Sequence, residues 1–396
     1  MTGSSRARRN VMVFATLLAI PEIAQATDDV AFSADPSINA GYANNPFLEQ
    51  GSGRGSGYVQ ARIDPEVKFI NELTTITVAG MDTYKQYFQH YGSTNDIGAY
   101  VDYAGKPSTR LRTHAKLSYD NSIIGQNEFT TGSPDTGLSS APVTSGSDIS
   151  LIGTRDRRQQ LQAEGGLVYT LSQHTTLTTT AYYVHARYSH LTLGDYDGFG
   201  DTTGISRQVA ERVQLGVQGS FAYYTYKAGF GHTSIYSPQA SFSVGLTSYW
   251  KFDGAVGASF VDNSVSGSTT TFTGNINICR NTPRSDFCMT ARRAALPTGS
   301  GQIQNELLIG TNYSYKITPL STVTLNANYT QNSAIQSFIT GPSKYLRGSV
   351  GYDRRVTERV HFTLEARYAN IYGTSVHRSA DYGAQAGISV KIGRSQ

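Results

Sequence analysis

Short runs in which every second side chain is apolar, with polar or charged side chains between, recur along most of the chain. Val323, Leu325, Ala327 and Tyr329 interleave with Thr324, Asn326, Asn328 and Thr330. The same beat returns in Phe362, Leu364, Ala366 and Tyr368 against His361, Thr363, Glu365 and Arg367, and again from Tyr382 to Ile392. Successive side chains of a strand point to opposite faces, so each run has one apolar and one wet face. When nearly every strand does this, a closed sheet with lipid outside and water inside satisfies both faces and leaves no edge. The pattern predicts an all-β protein, a transmembrane antiparallel up-and-down β-barrel.

Seven tight connections join pairs of these runs: Asn71 to Thr74, Gly105 to Ser108, Ser172 to His174, Val209 to Arg212, Trp250 to Asp253, Thr318 to Ser321 and Val356 to Arg359. Longer connections alternate with them: Tyr91 to Asn95, Ile124 to Arg157, Leu191 to Thr203, Ala228 to Tyr236, Ser264 to Ser300, Ala334 to Gly341 and Ile371 to His377. Short turns are periplasmic and long loops external in such barrels, which assigns sidedness. A last strand over Ser379 to Ile392, and a first hairpin from Ile38 to Leu48 and Tyr58 to Phe69, bring the expected total to about 16 strands within 38–396. The Gly-rich stretch from Gly51 to Gly57 reads as the flexible loop of that first hairpin, not as a phosphate-binding loop, because it opens no helix. Val209-Ala210-Glu211-Arg212-Val213 recurs as Val356-Thr357-Glu358-Arg359-Val360, both at turns of one class.

The N-terminus has a different character. Arg6, Arg8 and Arg9 precede an apolar stretch from Val11 to Ile20 and then Ala24-Gln25-Ala26, the three-part form of a secretory signal peptide over 1–26. An anchoring helix would need about twenty apolar residues. Residues 27–37 are then a short periplasmic segment. Loss of three Arg and one Glu with the leader lowers the net charge from +4 to +2, too small an excess for a nucleic-acid partner. Twenty-six Tyr suit the interfacial girdles, where a ring sits in lipid and its hydroxyl meets water.

Cys279 and Cys288 are the two cysteines, placed by this reading in one long loop. An exported protein oxidises them to a disulfide; zinc binding would need further Cys or His nearby. No metal or cofactor is expected.

Apolar residues assigned outward leave the lumen to Gln60, Arg62, Asp64, Glu66 and Lys68 on one strand and to Arg110, Arg112, His114 and Lys116 on another. Later strands add Glu164, Arg187, Lys316, Arg347, Asp353, Arg355, Glu365, Arg367 and Lys391. Setting His114 aside, eleven of these are basic and five acidic, which favours anions mildly. Arg110, Arg112 and Lys116 form a basic ladder that either sets selectivity or is paired and merely keeps the interior wet. The loops 124–157 and 264–300 are candidates to fold inward, the second with Arg280, Arg284, Arg292 and Arg293; a cell-surface position is the alternative for each.

Catalytic motifs are absent. There is no Gly-x-Ser-x-Gly elbow and no His-Glu-x-x-His pair. Asp195 to Asp201 spaces carboxylates loosely as calcium loops do but lacks the closing Glu. His185, Ser189 and His190 could suggest a lipid-boundary hydrolase, but adjacent strand residues face opposite ways, so Ser189 and His190 cannot pair directly.

Gly41-Tyr42-Ala43-Asn44-Asn45-Pro46-Phe47 and Gly351-Tyr352-Asp353-Arg354-Arg355 resemble the opening and the near-terminal turn of a β-barrel porin family of alphaproteobacteria (β-barrel porin 2-like). The resemblance implies an outer-membrane barrel, no catalytic residue, and for some members an association with exopolysaccharide or capsule production. The last strand departs from the usual outer-membrane ending on an aromatic, running Val390-Lys391-Ile392-Gly393 into a polar tail. Three functions follow: a porin-like passive channel for small hydrophilic solutes, weakly anion-favouring; a barrel of a polysaccharide export system; or a non-conducting structural barrel. Expected partners are outer-membrane lipid and lipopolysaccharide, the barrel assembly machinery, small solutes or polysaccharide, and a possible homo-oligomer.

Overall fold

The alternation along the chain is realised as one closed antiparallel sheet. The computed structural model describes residues 29–125, 148–189, 194–227, 231–265, 267–301, 303–334, 343–373 and 378–393. In chain order the strands are β1 (Asp29–Ala34 and Ser37–Ala43), β2 (Ser56–Ile63 and Pro65–Ile70), β3 (Thr74–Tyr87), β4 (Ser93–Gly105), β5 (Leu111–Ile123) and β6 (Arg157–Ser172). There follow β7 (Thr175–Tyr188), β8 (Tyr196–Ala210), β9 (Val213–Tyr226), β10 (His232–Gly245), β11 (Trp250–Asn263) and β12 (Gly267–Asn281). The last are β13 (Ser285–Pro297), β14 (Ile303–Thr318), β15 (Ser321–Ala334), β16 (Ser343–Arg355), β17 (Val360–Tyr372) and β18 (Asp381–Val390 and Ile392–Gly393).

Each strand pairs with its sequence neighbours, and β1 pairs with β18 to close an 18-strand ring. The interruptions in β1, β2 and β18 lie side by side. Pro36 and Pro65 have no N–H to give to a ladder, so rungs are lost there. The register is unchanged across the break, Ala34 facing Pro65 and Ser37 facing Arg62.

The expected count of 16 strands is therefore corrected to 18. The difference is one hairpin. Most of 264–300, expected as a loop, is β12 and β13 joined by the tight turn at Thr282 and Arg284, where the Thr282 N–H bonds the Ser285 carbonyl at 2.9 Å. Thr and Ser occupy both faces of the upper part of β12, so its alternation is weak in sequence. The turn expected at Trp250 to Asp253 lies earlier, where the Thr247 hydroxyl accepts the Trp250 N–H at 3.1 Å and Trp250 already begins β11. The segment expected as periplasmic from 27 to 37 is, from Asp29 onward, the lower part of β1. The leader at 1–26 lies outside the described residues.

The outer wall is apolar and aromatic. Val59, Tyr84, Val101, Leu117, Leu215, Val256, Leu325 and Ile388 are all exposed on it, as the lipid-facing side of a barrel requires. The shielded core lies within the barrel mouth instead. Ile149, Leu151 and Ile152 gather there with Leu48, Tyr182, Val184, Tyr188, Tyr196, Tyr224, Tyr226 and Ile235.

Candidate functional site

An inward-folded plug at the extracellular end defines the site. The loop after β5 returns to the wall through a short 3-10 turn, Ile149–Leu151, whose side chains pack on the inner faces of the strands. A loop buried this way must satisfy its polar groups internally. Asp148 does much of this. It lies 3.2 Å from the Arg158 guanidinium, accepts the Tyr188 hydroxyl at 2.7 Å, and accepts the Gly299 N–H at 2.7 Å. The loop 124–157 thus supplies an inward-folding element, as one of its two readings expects; of the loop's residues 126–147 nothing is described.

Two further connections complete the plug. After β1, Asn45 donates its backbone N–H to Asp381 at 2.9 Å and its side-chain amide to the Ser379 carbonyl at 2.9 Å. Phe47 packs against Tyr87 and Tyr91, with ring centroids 5.8 and 5.4 Å away, and the Arg155 guanidinium stacks 4.4 Å from its ring. Arg378 donates to the carbonyls of Leu48 and Ile152, tying the two loops together. The third piece is the 298–301 tip, where Gly299 meets Tyr188 and Leu151.

The plug inverts the usual face rule nearby. On the upper half of β7 the shielded inner residues are Tyr182, Val184, Ala186 and Tyr188, while Tyr183, His185 and Arg187 face outward. Arg187, expected in the lumen, is therefore on the outer wall. Its strand spends its apolar side chains on the plug.

Below the plug, described residues line two large cavities in the lumen. One of about 530 Å³ is bounded by β7 to β13, including Thr180, Ser237, Gln239, Asn275 and Arg292. The other, about 490 Å³, lies against β13 to β16 and includes Asn312, Asn328 and Arg347.

The sequence-predicted lining residues fall into distinct environments. On β2, Arg62 meets Asp64 at 2.7 Å and Lys68 meets Glu66 at 2.9 Å, so four lumen charges neutralise one another along one strand. The basic ladder is divided. Arg110 stands in the periplasmic turn, Arg112 faces the lower lumen, and Lys116 sits opposite Asp102 and Glu164 in the ladder, 5.1 Å from the Tyr100 ring centre. His114 approaches Glu164 at 3.4 Å. Arg355 ends β16 at the periplasmic mouth. Arg347 and Arg367 face the upper lumen, Arg367 with its Nε 3.4 Å from Asp381.

Lys85 was not among the expected lining residues. It is only 2% exposed, and its Nζ lies 4.9 Å from the centre of the Tyr58 ring, while the Arg367 guanidinium lies 5.7 Å from the same centre. Tyr58 packs on Tyr87 and Tyr87 on Phe47, so this two-cation arrangement sits directly beneath the plug. The Tyr58 ring face thus lies within cation–ring distance of both basic groups. The sequence signal was Tyr84-Lys85-Gln86-Tyr87, in which alternation alone turns Lys85 and Tyr87 inward.

Other expectations resolve more simply. Cys279 and Cys288 are bonded, with Cα atoms 4.1 Å apart, but as facing residues of β12 and β13, not as a staple within a loop. The basic residues assigned to that loop are dispersed. Arg280 stacks 5.8 Å from the Trp250 ring, Arg284 is in the turn, Arg292 pairs with Glu306 at 2.8 Å, and Arg293 is exposed. Asp197 and Asp201 lie on the outer face of β8, not in a calcium loop, and no cluster of metal-binding side chains occurs among the described residues. His185 meets Asp197 at 2.6 Å, and His190 lies outside the described residues.

No protein-family model matches the chain, and no curated protein sequence is similar to it. Similar solved structures include OccK2 (OpdF) of Pseudomonas aeruginosa in complex with glucuronate, at 9% identity and a TM-score of 0.47 over 93% of this chain and 99% of that one. The BenF-like porin of Pseudomonas fluorescens Pf-5 is similar at 9% identity and a TM-score of 0.46, over 93% and 100% of the two chains. The siderophore receptor PirA of Pseudomonas aeruginosa is similar at 8% identity and 0.46, over 91% and 80%. The closed ring with its apolar outer wall is itself the architecture of a bacterial outer-membrane barrel.

Proposed function

We propose that the chain is a plugged outer-membrane channel for small hydrophilic solutes that favours anions at the Lys85, Arg347 and Arg367 site. A ring of this size encloses an aqueous interior unless a loop enters it, and among the described residues the loops that enter do so at the extracellular end. The observation that carries the reading is the meeting of two basic side chains, Lys85 and Arg367, at Tyr58 immediately below the plug. Here Lys85, Arg347 and Arg367 gather about the one Asp381 carboxylate that Arg367 meets at 3.4 Å, whereas on β2 the charges are matched one to one, so the upper lumen carries a positive excess toward a passing solute. The leader-like segment 1–26 and the resemblance to the alphaproteobacterial β-barrel porins agree with export to the outer membrane.

Purified protein in planar bilayers tests this. Discrete conductance steps with a reversal potential on the anion side are expected under a salt gradient. Absence of steps after the plug is loosened by Asp148→Ala would refute the channel.

A further inference from the structure

β12 runs from Gly267 to Asn281, yet its pairing with β13 stops at Gly274 opposite Arg293. Above that rung β12 stays paired to β11 up to Gly267, and β13 stays paired to β14 up to Pro297. The wall therefore forks. The edge from Ser268 to Thr273 has no ladder partner on its β13 side among the described residues, only the Thr273 hydroxyl reaching the Arg293 carbonyl at 3.0 Å, while the neighbouring Ala295 and Leu296 of β13 are both shielded within the mouth.

The height of the fork matters. Arg280 and Trp250 mark the periplasmic rim. Gly274, the last paired rung, is about six residues above it, and the unpaired residues Thr273 to Thr271 are about seven to nine above it, roughly 18–23 Å at a strand tilt of about 40° and so in the upper part of an apolar band about 25 Å tall, with Ser268 to Thr270 above that band. Unpaired backbone in hydrocarbon is costly and persists only where it lines a protein or water-filled space. Such a space is present. The cavity of about 530 Å³ reaches the fork from within, touching Thr273, Gly274 and Asn275 on one side and Arg293, Ala294 and Leu296 on the other. Outside, Phe272 and Val256 are exposed and apolar. At the threshold stands Arg293, exposed and with no ion pair among the described residues.

We propose that the wall has a lateral port between β12 and β13, through which an amphiphile with an anionic head and an apolar chain passes between the cavity and the surrounding lipid. Arg293 receives the head and Phe272 borders the chain. The port goes beyond the axial channel and stands whether or not that path conducts.

The test uses the full chain in detergent with laurate carrying a terminal diazirine, its photo-adducts mapped by mass spectrometry. Adducts are expected within 268–273 and 294–296, displaced by laurate and not by dodecyltrimethylammonium. Arg293→Gln should weaken laurate binding about tenfold and Arg293→Lys by less than about threefold. Both variants leave the paired wall untouched, and the glutamine removes a lipid-facing charge, so folding is retained. Adducts spread evenly round the outer wall, or laurate affinity equal in Arg293→Gln and the parent, would overturn the port. So would a dimer in which the 268–273 edge is protected from labelling. Conductance recorded on the same preparations reports on the axial channel separately.

Discussion

Asp148 and Arg158 form an ion pair of 3.2 Å with side chains only 1% and 4% exposed, one on the inward-folded loop and the other on the inner face of β6. It ties plug to wall through two shielded charges. Removing one member of such a pair leaves the other charge shielded and costs about 3–5 kcal/mol, here local to the plug. Asp148→Ala is therefore expected to raise single-channel open probability and to speed trypsin cleavage near Arg155 and Arg157. An unchanged open probability would show that the plug is held by packing alone.

Charge selectivity should divide the lumen residues by their neighbours. Arg347→Gln and Arg367→Gln together remove two positive charges against the one Asp381 carboxylate that Arg367 meets at 3.4 Å, and should move the reversal potential toward cations. Arg62→Gln should move it little, because Asp64 already offsets that charge at 2.7 Å. Lys116→Gln should fall between, since Lys116 faces both Asp102 and Glu164 in the ladder. Equal shifts from Arg62→Gln and from the Arg347 and Arg367 double variant would contradict this ordering.

Asp82 faces outward on β3, between Ile63 of β2 and Ile97 of β4. A carboxylate toward lipid opposes insertion, so Asp82→Val should stabilise the barrel by about 1–2 kcal/mol. Urea unfolding midpoints in lipid vesicles measure it. A lowered midpoint would mean that the carboxylate has a structural partner in the membrane.

The disulfide joins two residues already held face to face by the β12–β13 ladder. Closing so short a loop contributes about 3 kcal/mol at most. Replacing both cysteines by serine should preserve the folded barrel's faster migration on unheated gels while lowering its resistance to heat. Loss of the folded band altogether would make the bridge a folding requirement.

Fold class was legible because alternation with Tyr, Val and Leu on one face has few other solutions, as in Val323 to Tyr329. The missing hairpin was hidden where Thr269, Thr270 and Thr271 put hydroxyls on both faces and Gly274 puts nothing on one. The plug was half legible. Ile149, Leu151 and Ile152 are an apolar group at the end of a Gly/Ser/Thr-rich loop, and such a group seeks shelter from water. What it would shelter against was not readable, because the tyrosines that meet it come from β7, β8 and β9 and obey an inverted face rule. The same inversion misplaced Arg187. Lys85 was missed for a plainer reason: an isolated lysine between tyrosines carries no motif, and only closure of the ring brings Arg367 to the other side of Tyr58.

The ring closes between β1 and β18, strands at opposite ends of the polypeptide. That contact spans almost the whole sequence. Long-range pairings of this sort cost chain entropy before they return any enthalpy, and they are slow for that reason. Until that pairing forms, both terminal strands expose open edges, which makes circularisation the step at which an escorting catalyst of insertion has most to offer this molecule.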